Sequence, residues 1–538
     1  MNNSKILLFL SFIISTSLPI HTTNHIFNKR NGFLFALLIP TIGAGIYKLE
    51  NARYFKSLHW DWPSIDPTVI TIKNSDRNTK NNLTTISIPE FFKLHTQKLK
   101  TVVEPLRAAA PQNDWLWGAA TSAHQVEGNC TNNQWYLFED KTLEGKNVEP
   151  ARNGCDSWNH EDEDIQHLKE LGLNTYRFSV EWSKIMPQPG VIDKEVLEHY
   201  KTFCKKLVAN GIKPVITLYH YTEPIWFYEL GGFEKRENNK HFVEFCTAVF
   251  EALHQEVYLW FTFNAPEGIA LQGWLTGTKP PAKKNMQLAI EVLGNILEAH
   301  VQVYQAIKKM DGGPQSRIGI LKNIMQLDPW NIFNPLDHLA CSMGNLLQNE
   351  CIYNFFTNGT FKVYIPAKVN MQHFNAEAPH SLDFIGLNYY CHNYMKNFKP
   401  IRELNQDIEI HANNDKYTIY GEGLYRAIAE ISKRIAKPLH IPIYITENGI
   451  GIDNNESGNT KRILHNQRYL YALARAIQDG HDVRGYIHWS LMDNYEWGQY
   501  GKFYGLFHVD RNSPQLKRIK KDGASYYEWV VKESRLSI

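Results

Sequence analysis

The fold of this chain is decided by runs such as LNTYRFSVEW, residues 173–182, in which aromatic and β-branched residues crowd into a short stretch. A run of this length and composition predicts a β-strand. The preceding segment spaces Ile165, Leu168 and Leu171 so that they share one face of a helix. A strand that is apolar on both faces and adjoins a helix is typical of a parallel sheet covered by helices.

Seven further runs of the same kind occur along the chain. They are WLWGAATS (115–122), IKPVITLYH (212–220), VYLWFTFN (257–264), RIGILKN (317–323), LDFIGLNYY (382–390), PIYITEN (442–448) and VRGYIHWS (483–490). Helical patterns separate them, for example over residues 462–479 between the last two runs. Eight such units predict an α/β fold, a (β/α)8 TIM barrel, over residues 113–535.

Composition narrows the class of protein. The chain has 538 residues, of which 43% are hydrophobic, and this is enough to bury one large core. A formal net charge of only +2, without a long block of like charge, argues against binding to nucleic acid. The seven cysteines form no CxxC pair or Cys/His cluster, so we expect no metal and no cofactor. Free thiols are expected, with a Cys130–Cys155 disulfide as the alternative.

The first 112 residues differ from the rest. Residues 6–20 and 32–47 are apolar runs, each slightly shorter than the roughly 20 residues that cross a bilayer comfortably. Two interpretations fit these runs. Residues 1–50 form a membrane anchor, with the two runs paired as a hairpin, or they include a signal segment that is cleaved before secretion. Residues 51–112 are polar and predict a linker.

Polar and aromatic side chains follow the predicted strands. They are Gln125, Arg177, His220, Asn264, Asn388, Tyr390, Glu447, Trp489, Glu496 and Trp497. In a TIM barrel the active site lies where the strands end at their carboxyl termini. Donors, acceptors, aromatic rings and carboxylates that converge on one mouth predict a carbohydrate-binding pocket.

The same segments resemble glycoside hydrolase family 1. ITENG (445–449) is similar to the family's nucleophile motif, WSLMDNYEW (489–497) to its sugar-recognition segment and WGAATSAHQVEG (117–128) to its N-terminal signature. Four shorter strings follow the family's order: YRFS (176–179), TLYH (217–220), DFIGLNYY (383–390) and YGEGL (420–424). The resemblance implies a retaining, β-glucosidase-like β-glycosidase that acts on β-D-glucosides or related sugars.

The resemblance also implies a role for each site residue. Glu447 attacks the anomeric carbon, Arg177 and Tyr390 hold its carboxylate, and Asn264 binds the sugar's 2-hydroxyl, a contact that strengthens in the transition state. The remaining substrate-binding residues that it implies are Gln125, His220, Asn388, Tyr417, Trp489, Glu496 and Trp497.

One position departs from this pattern. The family's TFNEP is TFNAP here, at 262–266, so that Ala265 stands at the acid/base position. Retaining hydrolysis needs a second carboxyl group about 5–5.5 Å from the nucleophile, which alanine lacks. Glu267 lies two residues further on, and a shift of about 6–7 Å along an extended segment makes it a poor substitute. We expect Glu267 to serve the first turn of the following helix instead. Tyr221 also replaces a usual Trp.

Four interpretations of Ala265 remain open at the level of the sequence. In the first interpretation, the chain is an impaired glycosidase for substrates that need little acid help. Plant myrosinases, which have glutamine at this position, resemble this case. In the second and third, the chain is a sugar-binding pseudoenzyme similar to klotho-type relatives, or a membrane-associated glycosyl transferase. The fourth interpretation is an engineered alanine in an ordinary enzyme. The retained Glu447, Arg177 and Tyr390 favour a glycosidase, because binding alone does not need them.

Overall fold

Eight parallel strands close into a barrel in the computed structural model, which describes residues 70–73, 84–87, 96–109, 115–140, 148–401, 410–411 and 418–535. The strands are β1 (Leu116–Ala120), β2 (Thr175–Ser179), β3 (Lys213–Tyr219), β4 (Leu259–Asn264), β5 (Ile318–Asn323), β6 (Phe384–Asn388), β7 (Ile443–Asn448) and β8 (Val483–Trp489). Each pairs with the next in chain order, and β8 pairs with β1. The predicted TIM barrel is confirmed.

Helices connect and cover these strands. The α-helices are Thr96–Ala109, Ala123–Val126, Gln134–Asp140, Glu161–Glu170, Trp182–Ile185, Lys194–Ala209, Ile225–Glu229, Asn239–Leu253, Pro266–Ala270, Met286–Lys308, Pro335–Asn345, Cys351–Asn358, Gly421–Ile431, Lys437–Leu439, Glu456–Gln478 and Ser525–Arg535. Short 3₁₀ or π turns lie at Gly232–Glu234, Arg236–Asn238, Leu271–Leu275, Leu346–Glu350, Ala378–His380, Ser432–Ala436 and Asp522–Ala524. The minor strands are Ile70–Lys73, Thr84–Ser87, Gln326–Pro329, Thr360–Ile365, Val369–Phe374, His392–Lys396, Lys399–Ile401, Ile410–His411, Thr418–Ile419, Phe507–Val509 and Arg518–Lys520.

Large apolar side chains from several strands fill one layer of the barrel. This layer consists of the fully buried Leu116, Val215, Leu259, Phe261, Leu321, Phe384 and Tyr444. The rings of Phe261 and Phe384 meet edge to face at 5.0 Å between centroids, an arrangement that aromatic pairs favour. The guanidinium of Arg177 lies 5.9 Å from the Phe261 centroid, so the polar site borders this layer directly.

The chain divides into two compact units. The barrel belongs to the larger one, and the smaller one includes residues 327–343 and 393–401, which follow β5 and β6. All seven cysteines are free thiols, so the Cys130–Cys155 disulfide considered from the sequence does not form.

Part of the predicted linker is structured. Thr96–Ala109 is a helix that buries Val102, Val103 and Leu106 and contacts the helices Glu456–Gln478 and Ser525–Arg535. The spacing of its apolar residues makes one face of the helix hydrophobic, which explains the difference from a linker. The two apolar runs before residue 48 lie outside the described residues. Among the helices that the structure does describe, none is long and apolar enough to cross a membrane.

Candidate active site

A single carboxylate at the end of β7 lies at the centre of the site. Glu447 is almost completely buried, and each of its carboxylate oxygens accepts a short hydrogen bond. The Arg177 guanidinium donates to Oε1 at 2.7 Å, and the Tyr390 hydroxyl donates to Oε2 at 2.7 Å. Charge-assisted bonds of this kind are short and strong, so they fix the direction of the carboxylate.

Arg177 holds several strand ends together from β2. Its Nε donates to the Thr217 hydroxyl of β3 at 3.0 Å, and a terminal nitrogen donates to the Asn264 side-chain oxygen of β4 at 2.9 Å. The same nitrogen that binds Glu447 also donates to the Thr446 carbonyl at 3.1 Å. A fully buried guanidinium that uses its planar set of donors in this way sets the geometry of the whole site.

Asn264 lies beside this pair. Its amide oxygen also accepts a bond from the Asn388 amide at 3.0 Å, and its amide nitrogen donates to Nε2 of His220 at 3.1 Å. The Asn388 oxygen in turn accepts from the Thr446 hydroxyl. Burial lowers the pKa of His220 well below its usual range, and the cations of Arg177 and Lys279 add to this shift. The imidazole is therefore a neutral hydrogen-bonding group.

The segment after β8 supplies aromatic rings and a second carboxyl group. The Trp489 indole N–H donates to Glu496 at 3.0 Å, and its ring stacks on His220 at 5.7 Å. Trp497 stacks on His220 at 6.0 Å. Burial raises the pKa of Glu496 to about 8, and the Glu447 carboxylate adds to this shift. Ring faces and a carboxyl group therefore share one pocket with Glu447.

Gln125 lies behind this pocket, on the short helix after β1. It is fully buried, and its amide nitrogen donates to the Tyr495 carbonyl at 2.7 Å and the Asn494 side chain at 3.0 Å. Its oxygen accepts from the Ser122 hydroxyl. These bonds tie the segment after β8 to β1 and thereby hold Glu496 and Trp497 over the barrel mouth.

The family model for glycosyl hydrolase family 1 matches residues 108–536. The chain belongs to glycosyl hydrolase family 1. It is a glycosidase, a β-glycosidase of the β-glucosidase type, as the sequence predicted.

Relatives within family 1 agree in sequence and in structure. The chain is 30% identical to β-glucosidase A of Acetivibrio thermocellus over 447 residues, which cover 78% of this chain and 98% of that protein. The structure is similar to a family 1 β-glucosidase from Thermotoga maritima in complex with isofagomine lactam, with a TM-score of 0.70 and 28% identity, covering 79% of this chain and 99% of the other. A β-glycosidase from Pyrococcus horikoshii matches with a TM-score of 0.68 and 31% identity, covering 79% of this chain and 95% of the other.

The residue expected at the acid/base position has an unusual backbone conformation. Ala265 is buried and adopts a left-handed conformation, with φ of 50°. Tyr221 and Trp497 of the same pocket also have positive φ, at 70° and 47°. Non-glycine residues avoid this region, and such strained positions cluster at functional sites because the surrounding structure holds them there. The surrounding structure therefore holds the backbone at position 265 in this conformation.

Glu267 does not replace the missing carboxyl group. One of its oxygens accepts a bond from the Asn323 backbone N–H at 2.8 Å and pairs with the Lys322 ammonium at 3.1 Å. Both side chains are buried, and Lys322 lies on the neighbouring strand β5. Glu267 therefore joins the helix Pro266–Ala270 to the barrel, which agrees with the structural role expected from its position.

Lys279 is a site residue that the sequence did not reveal. Its Nζ lies 3.9 Å from the centroid of the Tyr221 ring and 5.0 Å from that of Trp497. Burial lowers its pKa to about 7, while the carboxylates of Glu496 and Glu447 oppose this shift. The residue lies in the loop after the π turn Leu271–Leu275 and does not directly follow a barrel strand in the sequence. In the sequence, this loop is recognisable only by its place between TFNAP and the proline pair at 280–281.

The other residues expected in the site come together at one end of the barrel. Arg177 and Tyr390 both contact Glu447 as expected, and Asn264, His220, Trp489, Glu496 and Trp497 surround them. The polar side-chain atoms of Gln125 and Asn388 are bonded to protein groups, and the sugar-binding role expected for these two residues stays a prediction. Tyr417 lies outside the described residues.

Proposed function

We propose that this chain is a retaining β-glycosidase that forms a covalent glycosyl-enzyme on Glu447. The observation that carries the proposal is the pair of 2.7 Å bonds by which Arg177 and Tyr390 hold the two oxygens of that carboxylate. A nucleophile must be charged and aimed at the anomeric carbon before substrate arrives. A protein that only binds sugar gains nothing from a carboxylate held in this way.

The surrounding groups favour a pyranose in front of Glu447. The oxygen of Asn264 is held by Arg177 and Asn388, and its amide nitrogen faces His220, so a sugar 2-hydroxyl would join this network. The rings of Trp489 and Trp497 and the carboxyl group of Glu496 supply apolar surface and a hydrogen-bonding group for the rest of the ring. The substrate class is a β-D-glucoside or a closely related β-glycoside.

Ala265 divides the two steps of the reaction. An activated phenolate leaves without a proton, so the attack by Glu447 proceeds without a carboxyl group at position 265. Release of the sugar needs a base that deprotonates water, so this second step is slow. General acid–base catalysis contributes about 10²- to 10⁴-fold, and this sets the size of the impairment for poor leaving groups.

Mass spectrometry of the full chain tests the proposal. The protein is incubated with 2,4-dinitrophenyl 2-deoxy-2-fluoro-β-D-glucoside, and the labelled peptide is mapped. We expect one glucosyl adduct on Glu447 and faster release of the sugar in azide, since this anion attacks without losing a proton. No adduct on the wild-type chain, together with no gain of hydrolysis in Ala265→Glu, would leave the sugar-binding pseudoenzyme in its place. Transfer of the label to an added alcohol in preference to water would identify a glycosyl transferase.

We also propose that the apolar runs 6–20 and 32–47 attach the chain to membranes. Their apolar composition supports an anchor, and Lys48, Arg53 and Lys56 behind them favour a cytoplasmic side for the end of the second run. Fractionation of cells that express the full chain should recover the glycosidase with membranes, and a chain that starts at residue 96 should be soluble. A full-length, uncleaved protein found wholly in the soluble fraction would contradict this.

A further inference from the structure

Lys279 places its ammonium group over two aromatic rings of the site, those of Tyr221 and Trp497. Within the described part of the chain, Nζ makes no ion pair and no hydrogen bond, and it lies over the faces of Tyr221 and Trp497. The residue as a whole is partly exposed, whereas its ammonium group is buried enough for its pKa to be lowered. A charged group without a partner in a pocket is available to a substrate.

Tyr221 connects this ammonium to position 265. A side-chain carbon added at Gly268 would lie 2.4 Å from the Tyr221 hydroxyl and 3.5 Å from the Ala265 Cβ, so these two groups flank the same glycine. The Tyr221 ring lies 5.2 Å from that of Trp497 and 5.7 Å from that of His220. Lys279 therefore lies on the same side of the pocket as Ala265.

The charges of the site reach Lys279 as well. Glu496, Glu447 and Lys502 are the charged groups that act on its ammonium, and Lys279 in turn acts on the neutral His220. The ammonium therefore lies within electrostatic range of the attacking carboxylate and of Glu496. Burial among these groups brings the pKa of Lys279 to about 7, which is where a group both gives and takes protons readily at neutral pH.

We propose that Lys279 is the proton donor and acceptor of this enzyme, in place of the carboxyl group that Ala265 lacks. This inference rests on the proposed glycosidase function. In the first step Glu447 bonds to the anomeric carbon, the bond from that carbon to the leaving oxygen breaks, and an Nζ proton passes to this oxygen. In the second step the neutral amine takes a proton from water, the water oxygen bonds to the anomeric carbon, and the Glu447 carboxylate is released.

Three variants of the full chain test this assignment. Lys279→Met removes the proton and the charge, and Lys279→Arg keeps the charge on a group that does not give up its proton in proteins. Lys284→Met removes an exposed lysine from the same loop and is the matched control. Each variant is assayed as kcat/KM with phenyl β-D-glucoside, a poor leaving group, and with 2,4-dinitrophenyl β-D-glucoside, an activated one.

We expect both Lys279 variants to lose about 10²-fold in kcat/KM on the phenyl glucoside and to retain the wild-type kcat/KM on the dinitrophenyl glucoside, because kcat/KM reports the first step. The retained rate shows that the variants are folded, and Lys284→Met should match the wild type on both substrates. Wild-type activity of Lys279→Arg on the phenyl glucoside would overturn proton transfer in favour of charge alone. An equal loss on both substrates, or no loss in Lys279→Met, would also overturn it. Labelling of wild-type Glu447 is measured separately, so its failure counts against the glycosidase function and not against Lys279 alone.

Discussion

The two halves of the active site differ in the contacts that they make. At the end of β7, Glu447 keeps both of its donors, Arg177 and Tyr390, at 2.7 Å. At the end of β4, Ala265 has a left-handed backbone conformation and no group that can transfer a proton. In the mechanism that we propose, attack on the sugar and proton transfer to the leaving group are separable, since Glu447 carries out the first and Lys279 the second.

The largest expected effect is on the side of attack. Glu447→Gln replaces the nucleophile with a neutral amide of the same shape and should abolish labelling by the 2-fluoro glucoside. Glu267→Gln is the matched control, because it removes a buried carboxylate at the other half of the site. Because Lys322 then lacks its carboxylate partner, the free energy of unfolding should fall by about 3 kcal/mol. The folded variant should still be labelled. Labelling of Glu447→Gln at another residue would contradict the assignment.

The second-largest effect is expected from a carboxyl group introduced at position 265. Ala265→Glu should raise hydrolysis of alkyl β-glucosides by about 10²- to 10⁴-fold, because the carboxyl group protonates a poor leaving group. Hydrolysis of methyl β-glucoside, followed as glucose release, measures it. Ala265→Gln, which has the same size and no acid, should show no such gain. An equal gain in both variants would mean that filling space, rather than proton transfer, limits the wild-type chain.

A smaller effect is expected from the support of the nucleophile. Tyr390→Phe removes one donor from the Glu447 carboxylate and keeps the ring. Hydrogen bonds to charged groups contribute about 1.5–3 kcal/mol, so the rate of dinitrophenolate release in the first turnover should fall about 10- to 100-fold. Stopped-flow absorbance measures this rate. An unchanged rate would show that Arg177 alone aims the carboxylate.

The pH dependence of kcat/KM separates the role of Lys279 from that of Glu447, with an expected change of about tenfold per pH unit. Lys279 acts as an acid only while protonated, so kcat/KM for phenyl β-glucoside should fall as the pH rises above its pKa of about 7. Lys279→Met should lack this fall. The Lys279 ammonium lowers the pKa of Glu496, which is about 8, so any remaining alkaline loss in the variant should move to higher pH. A fall near pH 7 that persists in Lys279→Met would assign it to another group.

The smallest effect concerns backbone strain. Ala265→Gly should raise the free energy of unfolding by less than about 1 kcal/mol, because glycine adopts a left-handed conformation freely but loses more entropy on folding. Ala270→Gly lies in the helix just beyond, with φ of −66°, and should lower stability by about 1 kcal/mol or more. Denaturant unfolding of both variants measures the difference. Destabilisation by Ala265→Gly would mean that its conformation is not strained.

The barrel could be predicted because its strands are continuous apolar runs. In a parallel barrel the strand order follows the chain, so residues at the ends of these runs, such as Arg177, Asn264 and Glu447, meet at one mouth. The contacts of Glu447 with Arg177 and Tyr390 were expected from family resemblance, which strand periodicity alone does not provide. The inert role of Glu267 followed from its position in the first turn of a helix.

Other features depend on tertiary contacts that no local pattern encodes. Lys279 lies in a loop, and its direction is set by contact with Tyr221 and Trp497, whose own backbones are left-handed. The orientation of Gln125 is set by bonds to the segment after β8, nearly four hundred residues away. The helix Thr96–Ala109 is amphipathic, yet it gains its stability from the helices on which it packs.

The central claim is that attack by Glu447 proceeds without a carboxyl group at position 265, while release of the sugar is limited by proton transfer to Lys279. Stopped-flow measurement of dinitrophenolate from 2,4-dinitrophenyl β-D-glucoside tests it most directly. The account predicts a burst of one phenolate for each enzyme molecule, followed by a slower steady phase that azide accelerates and that Lys279→Met slows further. A steady release from the first turnover, without a burst and without a response to azide, would contradict it.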